Sequence, residues 1–219
     1  MAAVPKTRER IIQASLELFN SQGERSVTTN HIAEFMGISP GNLYYHFRNK
    51  QAIIAELFIR YEADVDSFLR LPEGREPSLE DKNFYLESLL EAMWRYRFLH
   101  RDLEHLLDSD PLLAERYRLF SQRFLQGALG IYQGFCDAGI LLMTAGQVEA
   151  LNLNSWIILT SWVRFLCTLQ GTSGDLSEEM LRRGIYQVMA LEIGFIAPQV
   201  RAEVEALHQR YCVPLQAFV

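Results

Sequence analysis

Residues 39–50 combine short polar residues with polar aromatic residues, a composition suited to contact with DNA. Gly41 and Asn42 are short and would allow a helix backbone to approach base edges. Lys50 adds a positive charge at a position where the amino terminus of a helix already favours an anion, and Thr29 holds the same kind of position at the start of an earlier segment. The polar aromatic residues of this stretch end in donors that suit phosphate oxygens: Tyr44, Tyr45 and His46.

Two short helices around a turn would position these side chains. Ala33 supplies the small residue that a close helix crossing needs, Gly37 tolerates the positive φ of the turn, and Leu43 is the aliphatic anchor below the crossing. Ser39 is a good N-cap before Pro40, so the second helix is predicted from Pro40 to Phe47. A simple helical hairpin whose exposed aromatic residues bind another protein is the alternative interpretation.

The rest of the chain also predicts helices. A helix over 7–22 ends at Gly23, Thr28 or Thr29 caps the next one through Met36, and Asn49 caps a helix from Lys50 to about Leu69. After a break at 71–77, longer helices are predicted at 79–107, 111–138, 145–170, 178–196 and 199–211. With 13 glycines and 7 prolines and no useful alternating segment, the fold class is all-α.

Charge and composition limit the function. The 219 residues carry a net charge of −6, but residues 1–60 hold seven basic and five acidic side chains, so only this end suits a polyanion. The apolar stretch 151–169 contains Asn152, Asn154 and Arg164, which favours a buried helix over a membrane span. The amino terminus shows no secretory signal, and the three cysteines (Cys136, Cys167 and Cys212) have no metal-ligand spacing. We expect a cytoplasmic protein with reduced thiols.

The carboxy-terminal part is rich in aromatic residues, which predicts a hydrophobic core first and a ligand pocket second. Buried amides and hydroxyls on the apolar helix would need partners, and a largely apolar ligand could supply them. Arg164 would pair with a ligand carboxylate or with an acid of a neighbouring helix. The candidate ligand-binding residues are Met93, Trp94, Phe124, Asn152, Trp156 and Thr160.

Catalytic and metal chemistry find little support in this sequence. His100, Glu104 and Asp108 fall at i, i+4 and i+8, a spacing that a metal could use but that more often marks a solvated helix face. There is no nucleophile–base constellation and no glycine-rich phosphate loop. We therefore predict no enzyme activity, no cofactor and no metal.

Residues 37–50, Gly-Ile-Ser-Pro-Gly-Asn-Leu-Tyr-Tyr-His-Phe-Arg-Asn-Lys, preceded by Thr28-Thr-Asn-His-Ile-Ala33, resemble the DNA-binding segment of the TetR family of bacterial transcriptional regulators. The resemblance covers about residues 7–60 and implies a three-helix, helix-turn-helix domain followed by a larger helical domain for ligand binding and dimerisation. We place these domains at 1–49 and 50–219, with helix 50–69 connecting them. Carried over, Thr29, Ser39, Asn42, Tyr45, His46 and Lys50 match phosphate contacts, and Pro40, Gly41 and Tyr44 match base contacts.

The resemblance also implies partners. It predicts a homodimer through helices near 145–170 and 178–196, a palindromic double-stranded DNA operator, and a small, largely apolar effector that releases a repressor from DNA. Pro40 and Asn30 stand where some relatives have basic residues, which leaves the operator sequence open. A helical interaction or sensor module that no longer binds DNA specifically is the alternative. The role of 197–219, the identity of the effector, and repression versus activation are not determined by the sequence.

Overall fold

The computed structural model describes residues 6–170 and 176–214. Within these ranges the regular elements are helices, and strand pairing is limited to a single bridge between Leu141 and Ile196. The all-α prediction is therefore confirmed. The helices are α1 Thr7–Gln22, α2 Thr29–Met36, α3 Pro40–His46, α4 Lys50–Phe68, α5 Leu79–Arg95, α6 Arg97–Ser109, α7 Pro111–Asp137, α8 Ala145–Gln170, α9 Glu178–Ala190 and α10 Arg201–Tyr211.

Helices α1 to α3 and the start of α4 form a small bundle whose local geometry follows from its caps. Thr28, rather than Thr29, caps α2 by accepting from the His31 N–H, and Ser39 caps α3 in the same way. Gly37 closes α2 with φ +66°, a conformation that suits glycine best. The core of this bundle includes buried apolar side chains from all four helices and from Phe47, the residue after α3: Ile11, Leu18, Phe19, Ile32, Leu43, Phe47 and Ile53.

A network of ion pairs fastens α1 to α4. Arg8 contacts Glu56 at 2.7 Å, and Arg60 contacts Glu9 at 2.7 Å. The hydrogen bonds that Arg60 and Gln13 donate to Glu9 lower the pKa of its carboxyl to about 2. These pairs neutralise two of the basic side chains of the amino-terminal bundle, so they are not free to contact a polyanion.

The larger domain is built around α8, which packs against α6, α7 and α9, while α5 packs against α4 and α9. Helix α10 covers part of α9, where the Tyr211 hydroxyl donates to Glu87 at 2.6 Å. The segment 197–211 therefore belongs to the packed body. None of the helices in the described ranges is long and apolar enough to cross a membrane.

The single helix predicted over 79–107 is wrong, because the chain breaks at Tyr96 into α5 and α6. Asn20 of α1 supports the break: its amide nitrogen donates to the Arg95 carbonyl at 2.8 Å and its oxygen accepts from the Phe98 N–H at 3.1 Å. One buried side chain thus replaces two backbone hydrogen bonds that the interrupted helix loses.

The helix predicted at 178–196 ends earlier, at Ala190. Glu192 then turns inward and pairs with Lys82 of α5 at 2.6 Å, and a 3₁₀ turn follows over Ile193–Phe195. Continuing the helix would carry this carboxylate away from its buried partner. The other boundaries agree within two residues, and the Thr144–Gln147 capping box forms. The glycines at positions 171 and 174 predict a helix stop between α8 and α9, and this segment lies outside the described residues.

Gly184 lets α9 approach α8 closely, and its replacement gives a stability prediction. A Cβ built at Gly184 lies 2.5 Å from Cδ1 of Trp162, whose Nε1 donates to the Met180 carbonyl at 2.7 Å. We expect Gly184→Ala to lower the free energy of unfolding by about 1–3 kcal/mol, because the indole cannot move without breaking this bond. Gly130→Ala in α7 is the matched control: its Cβ meets nothing within 4 Å, so chemical denaturation should show equal or higher stability. Equal loss in both variants would contradict the argument.

Candidate DNA interface and ligand cavity

The face of α3 that points away from the bundle carries most of the predicted DNA contacts. Tyr45 is 85% exposed and Tyr44 is 49% exposed, both high values for aromatic side chains. The other exposed residues of this face are Ser39, Pro40, Gly41 and Asn42, and His46 is half-buried with its ring against that of Tyr45. The structure therefore places all the predicted residues of α3, with its cap Ser39, on or at the edge of one surface.

Thr29 at the start of α2 joins this surface. Its hydroxyl lies 2.9 Å from the hydroxyl of Tyr44, which links the first helix of the motif to the second. The same bond orients the Tyr44 ring across the turn between the two helices. Thr29 is half-buried and Tyr44 is exposed, and the hydroxyl that accepts in this bond keeps its own proton to donate to a phosphate or a base edge.

Lys50 is used inside the protein. Its ammonium group donates to the carbonyls of Glu24 and Val27, both at 2.9 Å, and lies 2.6 Å from the Glu24 carboxylate. The Glu24 side chain is only 4% exposed, so Lys50 compensates a buried charge. The Lys50 side chain keeps 22% of its surface exposed. Lys50 therefore has a structural role that the sequence did not predict, in addition to its predicted role as a phosphate contact.

Arg48 is a candidate that the sequence analysis missed. It lies between α3 and α4, is exposed, and has no ion-pair partner among the described residues, whereas Arg8, Lys50 and Arg60 all have one. A free cation directly beside the exposed face of α3 is well placed to meet a phosphate. Its position directly after the Leu-Tyr-Tyr-His-Phe stretch at 43–47 is the sequence signal that could have identified it.

A largely apolar cavity of about 90 Å³ lies in the body between α4, α5, α7, α8 and the end of α9. Of the six predicted ligand residues it is lined by Phe124 and Asn152. The remaining wall is mostly aliphatic and aromatic, with Phe68, Leu69, Tyr85, Leu86, Leu89, Ala128, Ile131, Tyr132, Phe135, Ser155, Leu159, Val188 and Met189, and two charged residues, Lys82 and Glu192.

A second, smaller cavity of about 20 Å³ adjoins the first, since Leu89, Phe124 and Leu159 line both. Its wall includes three more of the predicted residues: Met93, Trp156 and Thr160. Trp94 lines neither cavity; its ring stacks on the Arg97 guanidinium, 4.1 Å from the ring centre. Five of the six predicted residues thus line these adjoining cavities.

The polar end of the larger cavity holds a buried ion pair. The Lys82 and Glu192 side chains are 6% and 2% exposed, and His208 Nε2 lies 3.4 Å from the same carboxylate. Burial alone would raise the pKa of Glu192, but the Lys82 charge and the contact with His208 outweigh it and lower that pKa. Glu192 is therefore an anion in the folded protein.

The candidate metal ligands His100, Glu104 and Asp108 do not form a common site among the described residues. His100 is buried with its ring against Tyr61, and burial lowers its pKa to about 4. Glu104 is exposed and pairs with Arg164. Arg164 therefore has an acidic partner on a neighbouring helix, one of the two partners predicted for it. The described residues contain no cluster of three or more potential metal ligands.

Helix α6 joins the smaller cavity to the amino-terminal bundle. Its residues Leu99 and Leu103 line the smaller cavity, while Arg101 donates to the Phe19 carbonyl at the end of α1. On the same helix, Asp102 accepts from the Glu24 N–H at 3.2 Å. A shift of α6 would therefore move contacts with the bundle and with the cavity at the same time.

Two family descriptions match the chain. The family described as "Bacterial regulatory proteins, tetR family" matches residues 11–57, and the one described as "Bacterial transcriptional repressor", TetR, matches residues 60–204. Together they cover the exposed face of α3 and the body that contains the cavities.

Individual proteins similar to this chain are also described as transcriptional regulators. A crystal structure of a TetR-family transcriptional regulator from Marinobacter aquaeolei VT8 is 48% identical, covers 95% of this chain and 100% of its own, and superposes with a TM-score of 0.87. The regulators SrpR and TtgW of Pseudomonas putida are each 28% identical over 125 residues, 57% of this chain. That match spans 59% of the length of SrpR and 93% of TtgW.

Proposed function

Since the chain belongs to the TetR family of bacterial transcriptional regulators, which are DNA-binding proteins and not enzymes, we propose that it is a dimeric, cytoplasmic repressor that a small apolar ligand releases from a palindromic operator. The observation that carries the DNA part of the proposal is the exposed face of α3, with Tyr45 85% accessible beside Arg48, which has no ion-pair partner in the described part of the chain. Exposed aromatic rings grouped with polar side chains and a cation form a surface suited to binding, whereas a single exposed ring would not.

The proposed contacts fall into two groups. Phosphate oxygens would be bound by Thr29, Ser39, Asn42, Tyr45, His46 and Lys50, with Arg48 added from the structure. Base edges would meet Pro40, Gly41 and Tyr44 at the amino-terminal half of α3, where a recognition helix enters the major groove. The short side chains at the start of α3 favour close approach of its backbone to the bases.

A second copy of the chain would dock on α8. Exposed apolar side chains follow one side of this helix, namely Leu153, Ile157, Phe165 and Leu169, with exposed fractions of 45–52%. On α9 the apolar residues Ile185, Val188 and Met189 are buried within one subunit, so α9 would contribute mainly through its end, where Leu191 and Ile193 are 37% exposed. This placement is consistent with the predicted interface near 145–170 and 178–196.

Ligand control would act through α6. A ligand changes operator affinity only as far as it binds the DNA-competent and DNA-incompetent states differently. Because α6 lines the smaller cavity and also bonds to α1, a ligand that shifts α6 would change the separation of the two α3 helices in a dimer. A dimer reads two half-sites about 34–36 Å apart, so such a change weakens binding.

The test is selection of bound sequences from random duplex DNA at two salt concentrations. Recovery of a two-fold symmetric motif with half-sites about one helical turn apart is the expected result. Retention that falls steeply with salt and yields no motif would contradict specific DNA binding and favour an interaction or sensor module of the same fold. The recovered operator then serves to test ligands for release.

Gly41→Ala separates base contact from folding. The built Cβ meets only the Ser39 hydroxyl oxygen, at 3.9 Å, so the free protein accommodates alanine. We expect unchanged or slightly higher stability, because alanine favours a helix over glycine by about 1 kcal/mol, together with altered sequence preference in the selection assay. Tyr45→Ala should instead weaken binding to all sequences alike. An unchanged motif for Gly41→Ala would place base reading elsewhere.

A further inference from the structure

Resting on the ligand site proposed above, we infer that the larger cavity takes a neutral, largely apolar molecule with one hydroxyl group, such as a phenol or a small alcohol, whose O–H donates to Oδ1 of Asn152. Three features of the cavity support this ligand class: an acceptor without a partner in its wall, a charge pair with no net charge at its polar end, and its small volume.

Asn152 lies in the cavity wall with an unused acceptor. Its side chain is buried, its amide nitrogen donates to the Leu125 carbonyl at 2.9 Å, and its oxygen has no hydrogen-bond partner within residues 6–170 and 176–214. The bond to Leu125 sets the orientation of the amide, since the flipped amide would place two oxygens together. A buried acceptor without a partner is unfavourable, and a donor on a ligand would remove that cost.

The neighbouring polar groups of the wall have partners. The Ser155 hydroxyl donates to the Leu151 carbonyl at 2.8 Å, so the Tyr132 hydroxyl, 2.9 Å away, is the donor in the bond between them. Each of these hydroxyls therefore donates to a partner among the described residues, whereas the Asn152 oxygen accepts from none of them.

The ion pair at the polar end presents no net charge. Lys82 and Glu192 touch at 2.6 Å, and the Lys82 ammonium also lies 5.2 Å from the centre of the Phe135 ring. A carboxylate ligand that paired with Lys82 would have to displace Glu192, and an organic cation that paired with Glu192 would have to displace Lys82. Both exchanges lose a buried charge pair, so a neutral ligand is favoured.

Size limits the ligand further. The cavity of about 90 Å³ is smaller than the roughly 150 Å³ cavity that holds benzene in an engineered protein, so a ring requires small movements of wall side chains such as Leu86, Leu89 or Met189. A molecule of five to eight heavy atoms is the order of magnitude that fits.

The experiment compares alcohols with hydrocarbons of the same shape by calorimetric titration of the full chain. The pairs are 4-methylphenol with 1,4-dimethylbenzene and 3-methylbutan-1-ol with 2-methylpentane; benzoate and benzylammonium are the charged probes. We expect each alcohol to bind about tenfold more tightly than its hydrocarbon, the worth of one buried hydrogen bond. Equal affinity within the pairs, preference for a charged probe, or no binding of any probe at millimolar concentration would overturn the inference.

Asn152→Leu keeps the shape of the side chain and removes the acceptor, so the alcohol preference should disappear while hydrocarbon binding is retained. Asn154→Leu, the same exchange at an exposed position two residues along α8, is the matched control and should keep the preference. If Asn152→Leu does not fold, the comparison within each pair on the unmodified chain still decides. Retained preference in a folded Asn152→Leu would assign the hydroxyl to another group.

Operator release is measured separately in the same samples. An alcohol that binds with the expected preference but leaves the protein on DNA supports the ligand class and contradicts ligand-controlled release. Release by benzoate or benzylammonium, without alcohol binding, supports control of DNA binding and contradicts the ligand class.

Discussion

Replacing Lys50 with methionine should destabilise the amino-terminal bundle by about 3 kcal/mol, because the Glu24 carboxylate stays buried without its cation. His105 Nε2 lies 3.7 Å from this carboxylate, beyond hydrogen-bond distance, so it does not replace the Lys50 contact at 2.6 Å. The loss should appear first as faster amide exchange in α2 and α3, since a small bundle can open while the body remains folded. Hydrogen exchange resolved by segment measures it.

Arg48→Met is the matched control for this variant. It removes the same charge two residues earlier, but Arg48 is exposed and has no ion pair among the described residues. Its amide exchange should therefore stay unchanged, while affinity for all DNA sequences falls and the salt dependence of binding drops by about one phosphate contact. Faster exchange in Arg48→Met would show that any charge loss here loosens the bundle.

The double variant Glu24→Gln with Lys50→Met separates the two roles of Lys50. Removing both charges should restore most of the protection against exchange, as expected when a buried pair is removed together. If Lys50 also contacts phosphate, the DNA affinity of the double variant stays reduced even though its bundle is stable again. Recovery of full affinity would instead show that Lys50 acts only through Glu24 and that its assignment as a phosphate contact is wrong.

Glu192→Leu should lower the free energy of unfolding of the body by about 3–5 kcal/mol, the largest effect we expect from a single substitution. The change leaves the Lys82 ammonium buried with no anion in contact, and it removes the reason for α9 to end at Ala190. Guanidinium denaturation followed by tryptophan fluorescence reports on this domain, because Trp94, Trp156 and Trp162 all lie in it.

Combining Glu192→Leu with Lys82→Met should recover most of the lost stability, since an apolar pair avoids the cost of burying charge. Glu115→Leu on α7 is the control: its pair with Arg118 is more than half exposed at both ends, so no measurable loss is expected. If Glu192→Leu behaves like Glu115→Leu, the buried pair contributes nothing to stability. No recovery in the double variant would indicate that Lys82 has another role.

Short-range chemistry explains why the amino-terminal bundle was predictable. The caps of α2 and α3, the positive φ of Gly37 and the outward face of α3 all depend on residues fewer than ten positions apart. The same holds for the ends of α7 and the start of α8. Where neighbouring residues provide the hydrogen bonds, residue type and spacing are sufficient for prediction.

Long-range partners decided the features that the sequence did not predict. The break at Tyr96 depends on Asn20, more than seventy residues away along the chain, and the end of α9 depends on Lys82 in the same way. Lys50 has the residue type of a phosphate contact, but the fold gives it Glu24 as a partner. The aromatic and polar residue types of a candidate ligand site can be read from the sequence. Which residues line a cavity depends on how α4 to α9 pack. That packing leaves Trp94 outside both cavities and brings Lys82 and Glu192 into the wall of the larger one. Local patterns specify which helices form and which face of α3 is exposed; the pairing of buried polar groups across the fold specifies where those helices stop and which polar groups the cavity presents.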